Sequence, residues 1–498
     1  ANGTFIKHIL PAATGPDARK PETTGMLLFD ADNDGDLDIY MASGSSEFTP
    51  GTKNYQDRLY INGGNGKFTI AEDAIPLNYT SKSCVKAADY DHDGDPDLFI
   101  GGRVLPGKYP QPVSSIILRN DSRQGVVKFT DVTGETARAL IDIGLVCDAL
   151  WTDFDNDGWE DLVIAGEWMP LVFLKNTGGK FERLADSGIE QHTGWWGSLV
   201  AGDFDNDGDM DYITGNLGKN SFYRADAKYP LCIYGKDFDK NGAYDIITTM
   251  YLKDEQGIRK EFPAQSRDEI VGQLPGLRKR FPSYKDFGKA TVHDLFTKEE
   301  LQGALILEAN NMKSCFVKNT GNGKFECHPL PAQAQWAPLY GMVADDFNGD
   351  GNLDVAINGN DFGTEVSAGR YDALNGLVLL GDGNGDFSAQ TIRQSGIFIP
   401  GDGKALVRLQ QSGGHYLLAA SQNQDVLKVF RLNKNNRLIA LQPGERYALV
   451  HLKNGKTRKV EFSYGDSFHS QSARFIAMNE AIESIEFFDR EGQSRLIQ

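Results

Sequence analysis

The chain has 498 residues, with 51 Lys and Arg against 69 Asp and Glu and a formal charge of −18. That length exceeds one small core and suits a large repeat domain with an appendage. The acidity argues against a nucleic-acid partner, which needs a basic face, and with no run of 18 apolar residues no transmembrane segment is expected.

The chain opens at Ala1 without a signal peptide, as a mature or trimmed product would. Residues 3–10, "GTFIKHIL", read as an orphan strand. The next apolar run, "MLLFD", enters "DADNDGDLD" at 30–38, and "DLDIYMA" leaves it. This nine-residue run recurs as "DYDHDGDPD" (89–97), "DFDNDGWED" (153–161), "DFDNDGDMD" (203–211), "DFDKNGAYD" (237–245) and "DFNGDGNLD" (346–354). In all six, Asp or Asn fills offsets 1, 3 and 5, Gly fills offset 6 and Asp fills offset 9. Solvated acidic loops would not keep one register through six copies.

The spacing suits a hard cation. Alternate short carboxylates on a curled loop point inward, Gly permits the turn, and Ca²⁺ takes six to eight oxygens at about 2.3–2.6 Å. Offset 7, whose side chain varies freely, is expected to lend its backbone carbonyl. The expected ligands are Asp30, Asp32, Asp34 and Asp38 with the carbonyl of Asp36; then Asp89, Asp91, Asp93 and Asp97 with Asp95; and Asp153, Asp155, Asp157 and Asp161 with Trp159. The same offsets give Asp203, Asp205, Asp207 and Asp211 with Asp209, Asp237, Asp239, Asn241 and Asp245 with Ala243, and Asp346, Asn348, Asp350 and Asp354 with Asn352. An EF-hand would need Glu at position 12 and flanking helices, whereas these flanks are strands. Four to six structural Ca²⁺ ions follow as the expected cofactor. The loops hold 26 of the 69 acidic side chains, so the acidity is mostly metal-site chemistry. Asp-rich loops outside an EF-hand suit millimolar external calcium, hence an extracellular or cell-surface setting.

Each unit repeats one order. A small-residue strand, the acidic loop and a second strand precede a hairpin such as "LYINGGNGKF", "VFLKNTGGKF", "CFVKNTGNGKF" or "LVLLGDGNGDF". Four antiparallel strands per unit make a propeller blade. Successive loops start 59, 64, 50, 34 and 109 residues apart. The fourth unit is short, and a segment at about 252–300 interrupts the fifth, its Pro-punctuated 262–296 stretch reading as short helices. Residues 403–432 read as three strands lacking a fourth, which 3–10 would supply by pairing near 426–432 and closing the ring. The expectation is an all-β fold: a seven-bladed β-propeller over 1–432, eight blades being the alternative, and a small all-β domain over 433–498. Five cysteines (84, 147, 232, 315, 327) cannot all pair; Cys315 and Cys327 flank a hairpin and could bridge, free thiols being the plainer reading.

The repeated "DxDxDGxxD" in four-stranded units resembles the FG-GAP and VCBS repeats of integrin α-subunit propellers, and "VHLKNGKTRKVEFSYGDSFHSQSARF" is similar to the ASPIC/UnbV module that follows such repeats in bacterial surface and secreted proteins. The resemblance implies an extracellular, calcium-stabilised adhesion or ligand-binding propeller; integrin-like function is not implied, because no partner-subunit features can be read in the sequence. Loops on the face away from the metals vary, as binding loops on a rigid scaffold do. There Arg103, Trp168, Trp195, Trp196, Asn216, Asp361, Arg370 and Tyr371, with Tyr109 and Asn360, suit a glycan or a protein partner; for each Trp the plainer reading is packing between blades. A polysaccharide lyase using Tyr284, His293, His192 and Arg267 is the alternative, and a structural subunit of a surface assembly is a third reading. No nucleophile motif favours catalysis.

Overall fold

In the two strands that flank each acidic loop, apolar residues alternate between two buried faces. In strand Asp97–Val104, Leu98 and Ile100 pack toward the preceding sheet while Phe99 packs toward the next. In Asp161–Met169, Leu162 and Ile164 face one neighbour and Val163 and Ala165 the other. A strand buried on both faces reads as a near-continuous apolar run, and it forces sheets to stack face to face. The computed structural model describes residues 9–11, 21–64, 66–366, 368–411, 415–433 and 436–498.

Six small antiparallel sheets follow one another, spanning 22–70, 81–131, 145–195, 198–329, 339–389 and 403–431. Their first strands pack in a row: Glu22–Phe29 on Ser81–Ala88, that on Leu145–Thr152, then Ser198–Gly202, Leu339–Asp345 and Gly403–Gln410. Small residues permit this approach. A Cβ on Gly44 would stand 2.2 Å from the Lys82 carbonyl oxygen, and one on Gly341 would stand 2.5 Å from the Leu406 nitrogen.

The fourth sheet departs from expectation. Its strands Ser198–Gly202 and Asp211–Gly215 pair onward with Cys315–Asn319 and Phe325–Pro329, about a hundred residues later. The chain between them forms a separate sheet, Leu231–Lys236, Asp245–Lys253, Arg259–Pro263 and Leu305–Ala309, carrying the 237–245 loop. That loop therefore belongs to an insertion and not to a seventh member of the row. The hairpin "CFVKNTGNGKF" completes the fourth unit, which the sequence made look short. The short helices expected in 262–296 are present, at Arg267–Gln273, Leu277–Arg280, Tyr284–Phe287 and Val292–Leu295, with Lys298–Leu301 beyond. Capping boxes at Ser266, Thr291 and Thr297 start three of them, and Ile270, Val292 and Leu295 bury against Tyr234 and Ile247.

Residues 1–8 lie outside the described residues, so the expected pairing of 3–10 does too. The sixth sheet has three strands among the described residues. Residues 436–498 form a two-stranded sheet, Arg437–Ala440 with Phe475–Met478, and a four-stranded one from Tyr447–Leu452, Thr457–Glu461, Ile482–Phe488 and Ser494–Ile497.

Candidate functional site

All six acidic loops share one backbone. The residue at offset 4 is left-handed, at φ 57° to 64° for Asn33, His92, Asn156, Asn206 and Lys240 and 76° for Gly349, and the Gly at offset 6 follows at 89° to 108°. Gly adopts that conformation at no steric cost, and Asn tolerates it. The curl aims backbone N–H groups at the first carboxylate: Asp30 accepts from Asp34 at 3.1 Å and from Gly35 at 2.9 Å, and the other five loops repeat the pair. The last carboxylate ties the loop to its sheet. Asp211 accepts from Phe204 N at 3.2 Å and from Asn319 N, on the third strand, at 2.8 Å.

Offset 3 is treated differently. One buried oxygen of Asp32, Asp91, Asp155 and Asp205 has no hydrogen-bond partner. In five loops the carboxylates at offsets 1, 3 and 9 bring oxygens within 4.8 Å of one another: Asp30/Asp32/Asp38, Asp89/Asp91/Asp97, Asp153/Asp155/Asp161, Asp203/Asp205/Asp211 and Asp237/Asp239/Asp245. Burial, reinforced by the neighbouring carboxylates, pushes Asp97 and Asp161 up to about 9, Asp211 to about 8, and Asp38 to about 6. Asp155 and Asp205 pair through their other oxygen with Lys175 and Lys318, but a buried carboxylate oxygen left without a partner beside two further carboxylates is costly, and a hard cation bound among them removes the cost. These residues fit a metal ion. Offset 5 stands outside the triads: Asp34 accepts from Asp36 N at 2.9 Å and so shapes the turn. Among the described residues the 346–354 loop forms no triad, because Asn348 replaces the central carboxylate.

The offset-7 side chain varies in type from loop to loop, and in the row it nevertheless has a partner. Offset 4 of each loop in the row meets offset 7 of the next. Asn33 donates to Asp95, His92 stacks on Trp159 at 3.9 Å, Asn156 donates to Asp209 at 2.6 Å and Asn206 to Asn352 at 3.2 Å. A second link runs backwards: Asn120, Asn176 and Asn319, ending third strands, donate to the offset-2 carbonyls of Ala31, Tyr90 and Phe154 in the preceding loops at 3.1, 2.8 and 2.8 Å.

The C-terminal residues lie on these loops. Lys459 N donates to Asp203 at 2.9 Å and its Nζ to Asn156 at 2.6 Å. Arg458 donates to the Gly351 carbonyl at 2.6 Å, Asn479 donates to Asp346 at 2.7 Å, and Arg490 pairs with Asp89. From there 464–473 runs along the first strands. Tyr464 bridges to Ala87, and the Lys86 ammonium donates to the carbonyls of Gly465 at 2.6 Å and Ser467 at 3.1 Å while pairing with Asp148 at 2.8 Å, both side chains fully buried. Met26 N donates to the His469 carbonyl at 3.1 Å, and Ala473 N to that of Arg408 at 2.8 Å.

At the opposite ends of the strands lies a cavity of about 1010 Å³. It gathers five of the eight expected ligand residues: Arg103, Trp195, Asn216, Asp361 and Tyr371. Arg103 pairs with Glu167 at 2.6 Å, and Tyr109 donates to Glu167 at 2.9 Å. Trp168 is buried behind this wall, donating to Tyr109 at 2.5 Å. Trp196 is 1% exposed and packs in the core between the third and fourth sheets, so it is core packing and not a ligand contact. Asn216 is spent on the backbone of Asn311 and Leu217. Arg370 is exposed, 5.0 Å over the Phe362 ring, and Asn360 is buried holding Leu374 and Gly401. The four lyase candidates do not gather there: Tyr284 and His293 are exposed, Arg267 pairs with Asp268, and His192 contacts Cys327. All five cysteines are thiols. Sequence reading missed Glu167, Tyr340, Phe468 and His469. The first adjoins the candidate Trp168 in sequence; nothing in "YGDSFHSQ" signals that two of its residues reach a cavity more than a hundred residues distant in chain from their neighbours there.

A family model described as FG-GAP-like repeat matches residues 30–100 and 153–214. No curated protein matches the sequence. The crystal structure of BBS1N in complex with ARL6DN, soaked with lead, contains a chain that aligns over 92% of this one and 98% of its own length at 10% identity, with a TM-score of 0.31. The family match falls on the strands and acidic loops of the first four sheets, and the chain carries FG-GAP-like repeats there.

Proposed function

We propose that the protein is an extracellular or cell-surface binding scaffold, pinned by calcium on one face and taking a glycan or a protein partner on the other. The six sheets are read as blades of a propeller over 1–432, the 231–309 unit as an insertion in the fourth blade, and the N-terminal residues as the closing strand. Residues 433–498 are read as an ASPIC/UnbV-like module docked on the loop face. One observation carries the metal assignment: in four loops a buried carboxylate oxygen at offset 3 is left without a partner beside two further carboxylates. All-oxygen ligation on a flexible loop favours Ca²⁺ over Mg²⁺, which demands a tighter octahedron and keeps its waters. The separation of the loops from a cavity walled by variable segments supports binding over catalysis.

Elemental analysis of the purified protein is expected to find up to five calcium ions per chain. Excess EGTA should lower the melting temperature, since each site contributes about 2.7 kcal/mol at a hundredfold excess of ion over its Kd. An unchanged melt and no bound metal would overturn the reading.

A further inference from the structure

The cavity is built by three parts of the chain. Loops of the row supply one wall, the inserted unit adds Tyr244 and Gln273, and the C-terminal segment adds Phe468 and His469 from the far side. Phe468 is held against Tyr340, ring centroids 5.1 Å apart, and stacks on His469 at 3.7 Å. The segment reaches this place because Lys86 and the Met26 amide grip its backbone. The C-terminal residues thus meet the metal loops at one end, through Lys459 and Arg458, and line the cavity at the other, through Phe468 and His469.

The cavity's cations are already paired. Arg103 is matched by Glu167, and Lys82 by Asp57 at 3.3 Å with its remaining protons on the carbonyls of Tyr55 and Asn78. Burial keeps His469 neutral. An anionic ligand therefore finds no unmatched cation among these lining residues. A purely apolar ligand fits no better, because Arg103 Nη1 and Trp195 Nε1 are buried donors without partners and would be sealed in. Between them stand aromatic faces from Tyr109, Trp195, Tyr223 and Phe468. Ligand sites combine apolar walls with a few placed polar groups, and this volume sits at the upper end of their range of about 300–1,000 Å³.

We propose that this cavity binds the end of an uncharged oligosaccharide, with Phe468 and His469 as part of its wall. Sugar hydroxyls would accept from Arg103 and Trp195 and donate to Glu167 and Asp361, while ring C–H faces stack on the aromatics. The inference rests on the binding-scaffold reading and narrows it from any surface partner to a small neutral saccharide in an internal site.

The test uses the full calcium-loaded chain, titrated by calorimetry and tryptophan fluorescence with cellotriose, maltotriose, triacetylchitotriose and trigalacturonate. At least one neutral trisaccharide should bind and perturb the fluorescence. Trp195→Phe, which keeps an aromatic face and removes the donor, should weaken it at least fivefold, and His469→Ala at least tenfold, both with calcium content unchanged. Binding of trigalacturonate alone, no binding of any neutral trisaccharide at millimolar concentration, or affinity unmoved by Trp195→Phe would overturn the proposal. Should His469→Ala fail to fold, the Trp195→Phe result decides. Loops filled with calcium and no saccharide bound would sink this inference while leaving the scaffold reading intact; no calcium in the loops would sink that reading itself.

Discussion

The loops at 203–211 and 237–245 are near-identical in local geometry and opposite in surroundings. Both have a left-handed residue at offset 4, at 58° and 59°, and both aim two N–H groups at the first carboxylate and one at the last. In the row, Asp211 also takes a third-strand amide, Asn206 links to the next loop and Lys459 reaches down from the C-terminal residues. In the insertion, Lys240 occupies offset 4 and is exposed, Asp239 is exposed, and no residue of 436–498 hydrogen-bonds to the loop among the described residues. The nine-residue motif thus folds itself, and what neighbours add is burial. Burial pushes Asp211 to about 8; Asp245 is also raised, by a weaker version of the same cause. A motif set by local hydrogen bonds is transferable, and its metal affinity and its weight in stability are not.

The largest separation between the two settings should come from removing metal at rising pH. Asp97 and Asp161 titrate near 9 and Asp211 near 8 in the folded chain, against an ordinary 3.8, so the folded state holds these protons more tightly than the unfolded state does. Their contribution is complete below the unfolded value and is lost as pH rises through the folded ones. Chelated protein should melt progressively lower from pH 6 to pH 9, and saturating calcium should abolish the trend. A chelated melt that is flat or rises over that range would contradict the burial account.

Next is Asp211→Ala against Asp245→Ala. The first strands two amides, Phe204 N and Asn319 N, and should cost about 2–5 kcal/mol with one calcium lost. The second strands one amide, Phe238 N, and should cost about 1–2 kcal/mol. Urea melts of both variants measure the gap, and equal losses would mean that the row adds nothing. Asn319→Ala leaves the Phe154 and Met210 carbonyls without their donor and should cost about 1–3 kcal/mol while keeping calcium, which separates the link between sheets from the metal site. The smallest pair is Asn156→Ala against Lys240→Ala. The first loses its bonds to Asp209 and to the buried Lys459 ammonium and should cost about 1–3 kcal/mol; the second should stay within about 0.5 kcal/mol.

Much of this was readable in advance because it is local. The turn between strands, the inward triad at offsets 1, 3 and 9, and the glycine at offset 6 depend on residues within nine positions of each other, and the hairpin "KNTGNGKF" sets its own register. The face carrying Arg103, Trp195, Asp361 and Tyr371 was legible as well, because strand direction places every second-strand exit at the end opposite the metals. Only tertiary structure decided the rest. Whether Trp196 faces a ligand or a neighbouring sheet depends on sheet stacking, and tryptophan carries no mark of which. The 237–245 loop looks like a sixth member of the series because its local chemistry is the same; that it sits in an insertion follows from Tyr212 pairing with Val317 across a hundred residues, a register that no short window contains. His92 and Trp159 break the Asn–Asp pattern of their offsets together, since a stacked pair replaces a hydrogen-bonded one only when both residues change, and their nearness is a fact of packed sheets. Lys86 and His469 are the extreme case: a lone lysine and a lone histidine, 383 positions apart in the sequence, joined through one buried segment because the row of first strands leaves space for it and backbone carbonyls there must find donors.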